Sequence, residues 1–252
     1  MSHLFRCALF AAAATAAATA TTCSLDEFCE TYALAPHGRI AVDNQNGNVR
    51  ITTWDRDEVR VEAYKRGVRP DDAQIVVDST ASALSIRTQY TAPGPDEPAT
   101  VEYRITVPRT ANLEDIRLVN GGLSIVGVAG DVKASAVNGD ISAEGLTGQA
   151  DLSTVNGKLD AGFFRICDAR SISLKSINGP ITLSLPSDAK ASVDARNYSG
   201  GIRSSFGRPL RPAGTGGHSL RTNIKGGGTR IRLHNVNGGI LITAPGRRPN
   251  EC

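Results

Sequence analysis

One short phrase recurs along this chain and limits what it can fold into: Asn-Gly, one variable residue, then an aliphatic residue. It occurs at Asn46-Gly47, Asn120-Gly121, Asn138-Gly139, Asn156-Gly157, Asn178-Gly179 and Asn237-Gly238, with a looser copy at Ser199-Gly200. From Asn120 to Asn138 to Asn156 the step is 18 residues each time, lengthening to 22 before Asn178. Insertions therefore fall between phrases and not inside them. Three and five residues after the Asn come pairs such as Leu123 and Ile125, Ile141 and Ala143, Leu159 and Ala161, Ile181 and Leu183, and Ile240 and Ile242. Six and four residues before it come Ile40 and Val42, Val132 and Ala134, Ala150 and Leu152, Ile172 and Leu174, and Ile231 and Leu233. Ser, Thr, Lys, Arg and Asp sit between them, which is the period-two pattern of strands with one buried face.

Asn-Gly between two such runs is also the signal of a two-residue hairpin, because both residues tolerate positive φ. Two observations favour stacked coils instead. Pro180 stands where the hairpin turn would need an N–H, which proline lacks. The 18-residue step suits one rung, with Asn-Gly at one corner and Gly127–Gly130 or Gly145–Gly148 at another. Stacking then places Asn120, Asn138 and Asn156 above one another, where their amides can bond as a ladder. A single rung buries too little apolar surface to offset the entropy of ordering it, so the rungs fold only as a stack. The expected fold class is all-β, a β-helix-like solenoid with rungs of about 18–22 residues. Residues 36–112 carry longer alternating strands and are expected to form an N-terminal β section that caps the repeat region at 113–245.

The first residues show Arg6, an alanine-rich apolar stretch and Ala18-Thr19-Ala20, the pattern of a cleaved export signal over 1–20. Residues 21–35 are expected to be a linker and 246–252 a tail. The product is expected to be exported, periplasmic or extracellular; an alternative is a lipoprotein anchored at Cys23. Cys23, Cys29, Cys167 and Cys252 remain after cleavage, and three pairings are open to them. No CxxC or Cys/His spacing points to zinc.

Charge is uneven. From Thr21 to Asp194 there are 17 Lys/Arg against 24 Asp/Glu, or −7, while Ala195 to Asn250 holds ten basic residues and no acidic one.

The Asn-Gly phrases, Thr53-Trp54-Asp55-Arg56-Asp57-Glu58-Val59, Tyr103-Arg104-Ile105-Thr106-Val107-Pro108, Ile181 to Ala189 and Gly226-Gly227-Gly228-Thr229-Arg230-Ile231 together resemble the bacterial putative-adhesin family of β-strand repeat proteins, akin to the autotransporter-adhesin head GIN domain family. The resemblance covers nearly the whole chain after the signal. It implies a right-handed β-solenoid and an envelope setting, and it carries over no catalytic residues.

Motifs for chemistry are sparse. His37, His218 and His234 have no fixed relation to a nucleophile, and GxSxG and HExxH are absent. Lys225 with Gly226–Gly228 lacks the order of a phosphate-binding loop and fits a connection better. Asp131, Asp140, Asp151 and Asp160 fall on neighbouring rungs, where paired carboxylates could cleave a glycosidic bond. Polar turn and surface roles explain them better, and Trp54 is the sole tryptophan available as a sugar platform. No cofactor, metal or nucleic-acid partner is expected.

The strongest functional lead is basic. Arg203, Arg208, Arg211, Arg221 and Lys225 lie in or beside the Gly/Pro-rich stretch 207–228, and several are expected to project from one loop toward an anionic envelope polymer or surface, the alternative being that they only keep the C-terminal region soluble. The expected function is thus a non-enzymatic, adhesin-like or scaffold module. The alternatives are a polysaccharide-acting β-helix enzyme and an envelope-stress accessory, the latter without any direct sign in the chain.

Overall fold

A computed structural model describes residues 27–67, 70–91, 99–167, 169–206 and 218–244. The export-signal reading, Cys23, Cys252, Arg208 and Arg211 lie outside the described residues. Strands dominate: β1 (Glu27–Ala33), β2 (Arg39–Asn46), β3 (Val49–Trp54), β4 (Glu58–Arg66), β5 (Ala73–Ser79), β6 (Ala83–Tyr90), β7 (Thr100–Pro108), β8 (Asn112–Asn120), β9 (Leu123–Val126) and β10 (Val132–Asn138). They continue with β11 (Ile141–Leu146), β12 (Ala150–Asn156), β13 (Leu159–Phe163), β14 (Ser171–Asn178), β15 (Ile181–Ser184), β16 (Ala191–Ser199), β17 (Ile202–Ser204), β18 (His218–Ile224), β19 (Thr229–Asn237) and β20 (Ile240–Thr243).

The two strands flanking each Asn-Gly do not pair with each other, so the hairpin alternative fails. β8, β10, β12, β14 and β19 pair in parallel in one sheet, and β9, β11, β13, β15 and β20 do so in the other. Register follows the repeat: Asn46 stands beside Asn120, and Asn120, Asn138, Asn156, Asn178 and Asn237 stand beside one another in turn. Between the sheets lie the aliphatic pairs read from the sequence. Ile40, Val42, Ala150, Leu152, Ile172, Leu174, Ile231 and Leu233 from one sheet and Val49, Ile51, Leu159, Ala161, Ile181, Leu183, Ile240 and Ile242 from the other are all buried.

Three forces hold the corner. Backbone bonds run from rung to rung, as in Gly139 N–H to Asn156 O at 2.9 Å and Gly157 N–H to Asn178 O at 2.9 Å. The Asn amides form an unbroken ladder, Asn120 Nδ2 to Asn46 Oδ1 at 2.9 Å, Asn138 to Asn120 at 3.0 Å, Asn156 to Asn138 at 2.8 Å, Asn178 to Asn156 at 2.9 Å and Asn237 to Asn178 at 2.9 Å. The residue after each Asn-Gly presents its N–H to a side chain on the adjacent rung where one is available: Gly122 to Asn48 Oδ1 at 2.8 Å and Lys158 to Asp140 Oδ1 at 2.7 Å. That N–H has no role in the backbone ladder, which is why Pro180 fits the position.

The ends depart from chain order. One sheet runs β1-β4-β7-β3-β9-β11-β13-β15-β20-β17 and the other β18-β16-β19-β14-β12-β10-β8-β2-β6-β5. The first Asn-Gly rung, β2 with β3, is therefore inside the stack and not in a section that covers it; β6 and β7 lie beyond it. The antiparallel strands β1, β4 and β5 make that end's edges. The expected boundary at 112/113 falls inside β8, and the expected linker contains β1. At the far end β19 and β20 slip between β14/β15 and β16/β17, leaving β18 as an antiparallel edge strand.

Inward positions two residues before the ladder Asn, with Thr88 and Asn197 on the flanking strands in the same register, form a mixed column: Thr88, Asn44, Leu118, Ala136, Thr154, Ser176, Asn235 and Asn197. Its polar members bond the corner carbonyls, as in Thr154 Oγ1 to Gly139 O at 3.0 Å, Asn235 Nδ2 to Gly179 O at 3.1 Å and Asn197 Nδ2 to Gly238 O at 2.6 Å. At the N-terminal end the Tyr103 hydroxyl joins this column, 2.7 Å from Thr88 Oγ1. Burial pushes Tyr103 up from 10.0 to about 12, against a lowering by its Thr88 hydrogen bond. The native state holds this proton more tightly than the unfolded chain. The associated stability is complete below pH 10.0 and is lost as pH climbs toward about 12. Urea midpoints measured across that window are expected to fall more steeply for the native protein than for Tyr103→Phe; parallel slopes would contradict this assignment.

Candidate functional site

The outer face of the β18-β16-β19-β14 end is a grid whose rows are set by strand register. One row reads Asn223, Ser192, Arg230, Ser171; the next Arg221, Asp194, Arg232, Ser173; the third Ser219, Arg196, His234, Lys175. Neighbours along a row are about 4.8 Å apart and rows about 7 Å apart. Five fixed cations thus share a small area with one carboxylate. Asp194 takes Arg221 Nε at 3.3 Å and Arg196 Nε at 3.4 Å, exposed pairs of small energetic weight. Among the described residues, Arg230, Arg232 and Lys175 have no carboxylate partner within salt-bridge distance. A shallow open depression of about 450 Å³ lies over Ser192, Asp194, Arg221, Asn223, Arg230 and Arg232.

The sequence-derived lead is only partly gathered here. Arg221 is on β18 within the grid, not in a loop. Lys225, at φ 46°, begins the turn with Gly226 and Gly227 that carries the chain past the start of β16 to β19. Gly228 has no room for a side chain there, since a Cβ would sit 2.4 Å from Lys190 O. Arg203 is on β17, in the opposite sheet. Arg196, Arg230, Arg232 and Lys175 were missed, because only the register brings these distant segments side by side. The usable signal was their outward parity: each occupies an odd position before its phrase, alternating with buried residues.

Three of the four carboxylates considered for glycan cleavage are engaged in structure. Asp131 Oδ1 accepts the Gln149 N–H at 3.0 Å, Asp140 Oδ1 accepts that of Lys158, and Asp160 pairs with Lys158 Nζ at 2.8 Å. No group of three or more His, Cys, Asp or Glu that could hold a metal occurs among the described residues. Cys29, which takes a 3.7 Å contact from Arg60, and Cys167 are free thiols. No helix among the described residues is long and apolar enough to cross a membrane.

Stacked two-strand rungs, an amide ladder at one corner and a flat charged face define an all-β repeat module. The family model described as Toastrack DUF4097 matches residues 109–243, more than half of the chain. The chain belongs to that family. A solved structure described as a "putative cell adhesion protein" from Clostridium sporogenes is similar over 86% of this chain and 99% of its own, at 12% identity and a TM-score of 0.51. A "putative adhesin" from Bacteroides fragilis is similar over 88% of this chain and 98% of its own, at 14% identity and a TM-score of 0.44. The first of these likenesses concerns the fold alone. No curated protein matches the chain.

Proposed function

We propose that this chain is a non-enzymatic, exported adhesin-like module that binds an anionic envelope polymer or surface through the basic end of its β18-β16-β19-β14 face. The observation that carries this reading is the in-register row Arg221, Asp194, Arg232, bordered by Arg230 and Arg196. Fixed cations on a rigid sheet raise the local concentration of a polyanion without the entropy cost of ordering a loop. The description of the Clostridium sporogenes structure as a cell adhesion protein is consistent with it. A periplasmic or extracellular site of action and a right-handed coil belong to the same reading, the handedness because parallel crossovers follow that hand.

Retention on a sulfated-dextran column tests it. The native chain is expected to be held at low salt and released as ionic strength rises, since exposed charges are screened. The triple variant R221A/R230A/R232A is expected to elute early. Elution of the variant at the native salt concentration would remove this face from consideration.

A further inference from the structure

The row beside this grid, immediately before the ladder Asn, is apolar. Strand register aligns Val119, Val137, Val155, Ile177, Val236 and Tyr198 along the outer face. Tyr198 is 71% exposed, Ile177 45%, Val137 41% and Val119 40%. Strand propensity favours β-branched residues on any outward position, yet the next two rows on β10, β12, β14, β16 and β19 hold only Ser, Lys, Arg, Asp and His. The concentration of aliphatics in a single row therefore asks for a cause of its own.

Six strands at about 4.8 Å spacing make a stripe about 24 Å long and one side chain wide. That is far below the roughly 800 Å² a side that a stable protein partner covers, and a soluble polyanion gains nothing from it. An anionic bilayer uses both features, apolar side chains entering the headgroup zone and cations meeting lipid phosphates. At the same end, Arg203 and Leu241 sit in register on the other side of the corner, Leu241 being 42% exposed. The charged and apolar groups thus converge around the Tyr198 corner.

We propose that this corner docks on the surface of an anionic lipid membrane, with Tyr198, Val236 and Ile177 at the headgroup level and Arg196, Arg221 and Arg232 on the phosphates. The proposal rests on the binding role assigned to the basic face and names the partner of that face. Flotation of the full chain with vesicles of phosphatidylglycerol and phosphatidylcholine, and with phosphatidylcholine alone, tests it. The native chain is expected to float with the anionic vesicles only. The variant V137S/I177S/Y198S is expected to lose vesicle binding roughly ten-fold while keeping its retention on sulfated dextran. Should the native chain bind the dextran but not the vesicles, the lipid proposal falls and the basic face stands; equal flotation of variant and native chain overturns it too. Y198W gives a readout that does not depend on the triple variant folding. Its emission is expected to be quenched by brominated lipid beyond the background of Trp54, and absence of added quenching counts against docking at this corner.

Discussion

Gly157→Ala is expected to remove a large fraction of the stability of the stack, whereas Gly201→Ala leaves it unchanged. Gly157 has φ of 154°, and a Cβ built on it would stand 2.2 Å from Gly139 O and 2.6 Å from Gly139 C. That carbonyl belongs to the neighbouring corner, whose Gly139 N–H is itself tied to Asn156 O. Neither rung can withdraw without breaking the ladder on its other side. A backbone conformation suited to glycine costs another residue about 1–3 kcal/mol, and overpacking adds about 1–3 kcal/mol. Set against the roughly 5–15 kcal/mol that holds a domain together, the sum is a large fraction. Gly201 follows its own Ser-Gly but has nothing within 4 Å of its would-be Cβ. Urea titration followed by far-UV circular dichroism distinguishes the two, and coincident curves for both variants would refute the packing argument.

The same corner explains how much of the fold was legible in advance. Asn-Gly at a near-constant step, with apolar residues at fixed offsets, specified strands, corners and the amide ladder, because each is a local consequence of residue type. The order of rungs at the ends was not legible. β2/β3, β16/β17 and β19/β20 carry nearly the same phrase, so local pattern alone lets any of them occupy any slot. Their placement is decided by connections such as Lys225 to Gly228, which lead the chain around β16, and by which strand is left as an antiparallel edge. Glu114 shows a smaller failure of the same kind. It is an extra residue in β8, where pairing with β10 shifts between Val132 and Ala134, and it moves Leu113 into the inward place that strict counting gives to Glu114.

The candidate site depends on that unread order. Arg196, Arg230 and Arg232 were visible as part of an acid-free C-terminal region, but their union with Arg221 requires β19 to lie inside β16 and β18 to lie outside it. A meander in chain order would have put Arg221 between the other two strands. Within the stretch 207–228, expected as a projecting loop, the described residues 218–224 form a strand for a related reason. His218 to Ile224 alternates inward and outward, with Leu220, Thr222 and Ile224 facing Ala195, Val193 and Ala191, and so it joins the sheet as an edge.

Asn44→Leu is expected to loosen the N-terminal rungs while leaving the middle of the stack intact. Asn44 is fully buried and ties three segments together: its Nδ2 donates to Val101 O at 2.9 Å and Gly47 O at 3.1 Å, and its Oδ1 accepts from Thr88 Oγ1 at 2.9 Å. Leucine is what the next rung carries at this place, Leu118, so shape alone does not forbid it. The cost is polar. The buried Val101 carbonyl loses its donor, at about 1–3 kcal/mol, the part-buried Gly47 carbonyl loses one too, and Thr88 keeps only Tyr103. Because rungs are stabilised by their neighbours, the penalty concentrates on β6 and β7 and decays along the stack. Hydrogen exchange resolved by peptide is expected to show lower protection over Val101–Val107 and native protection over Ala150–Asn156. Uniform loss along the chain would mean that the stack unfolds as one unit, and unchanged exchange in β7 would mean that the Asn44 bonds contribute little to its attachment.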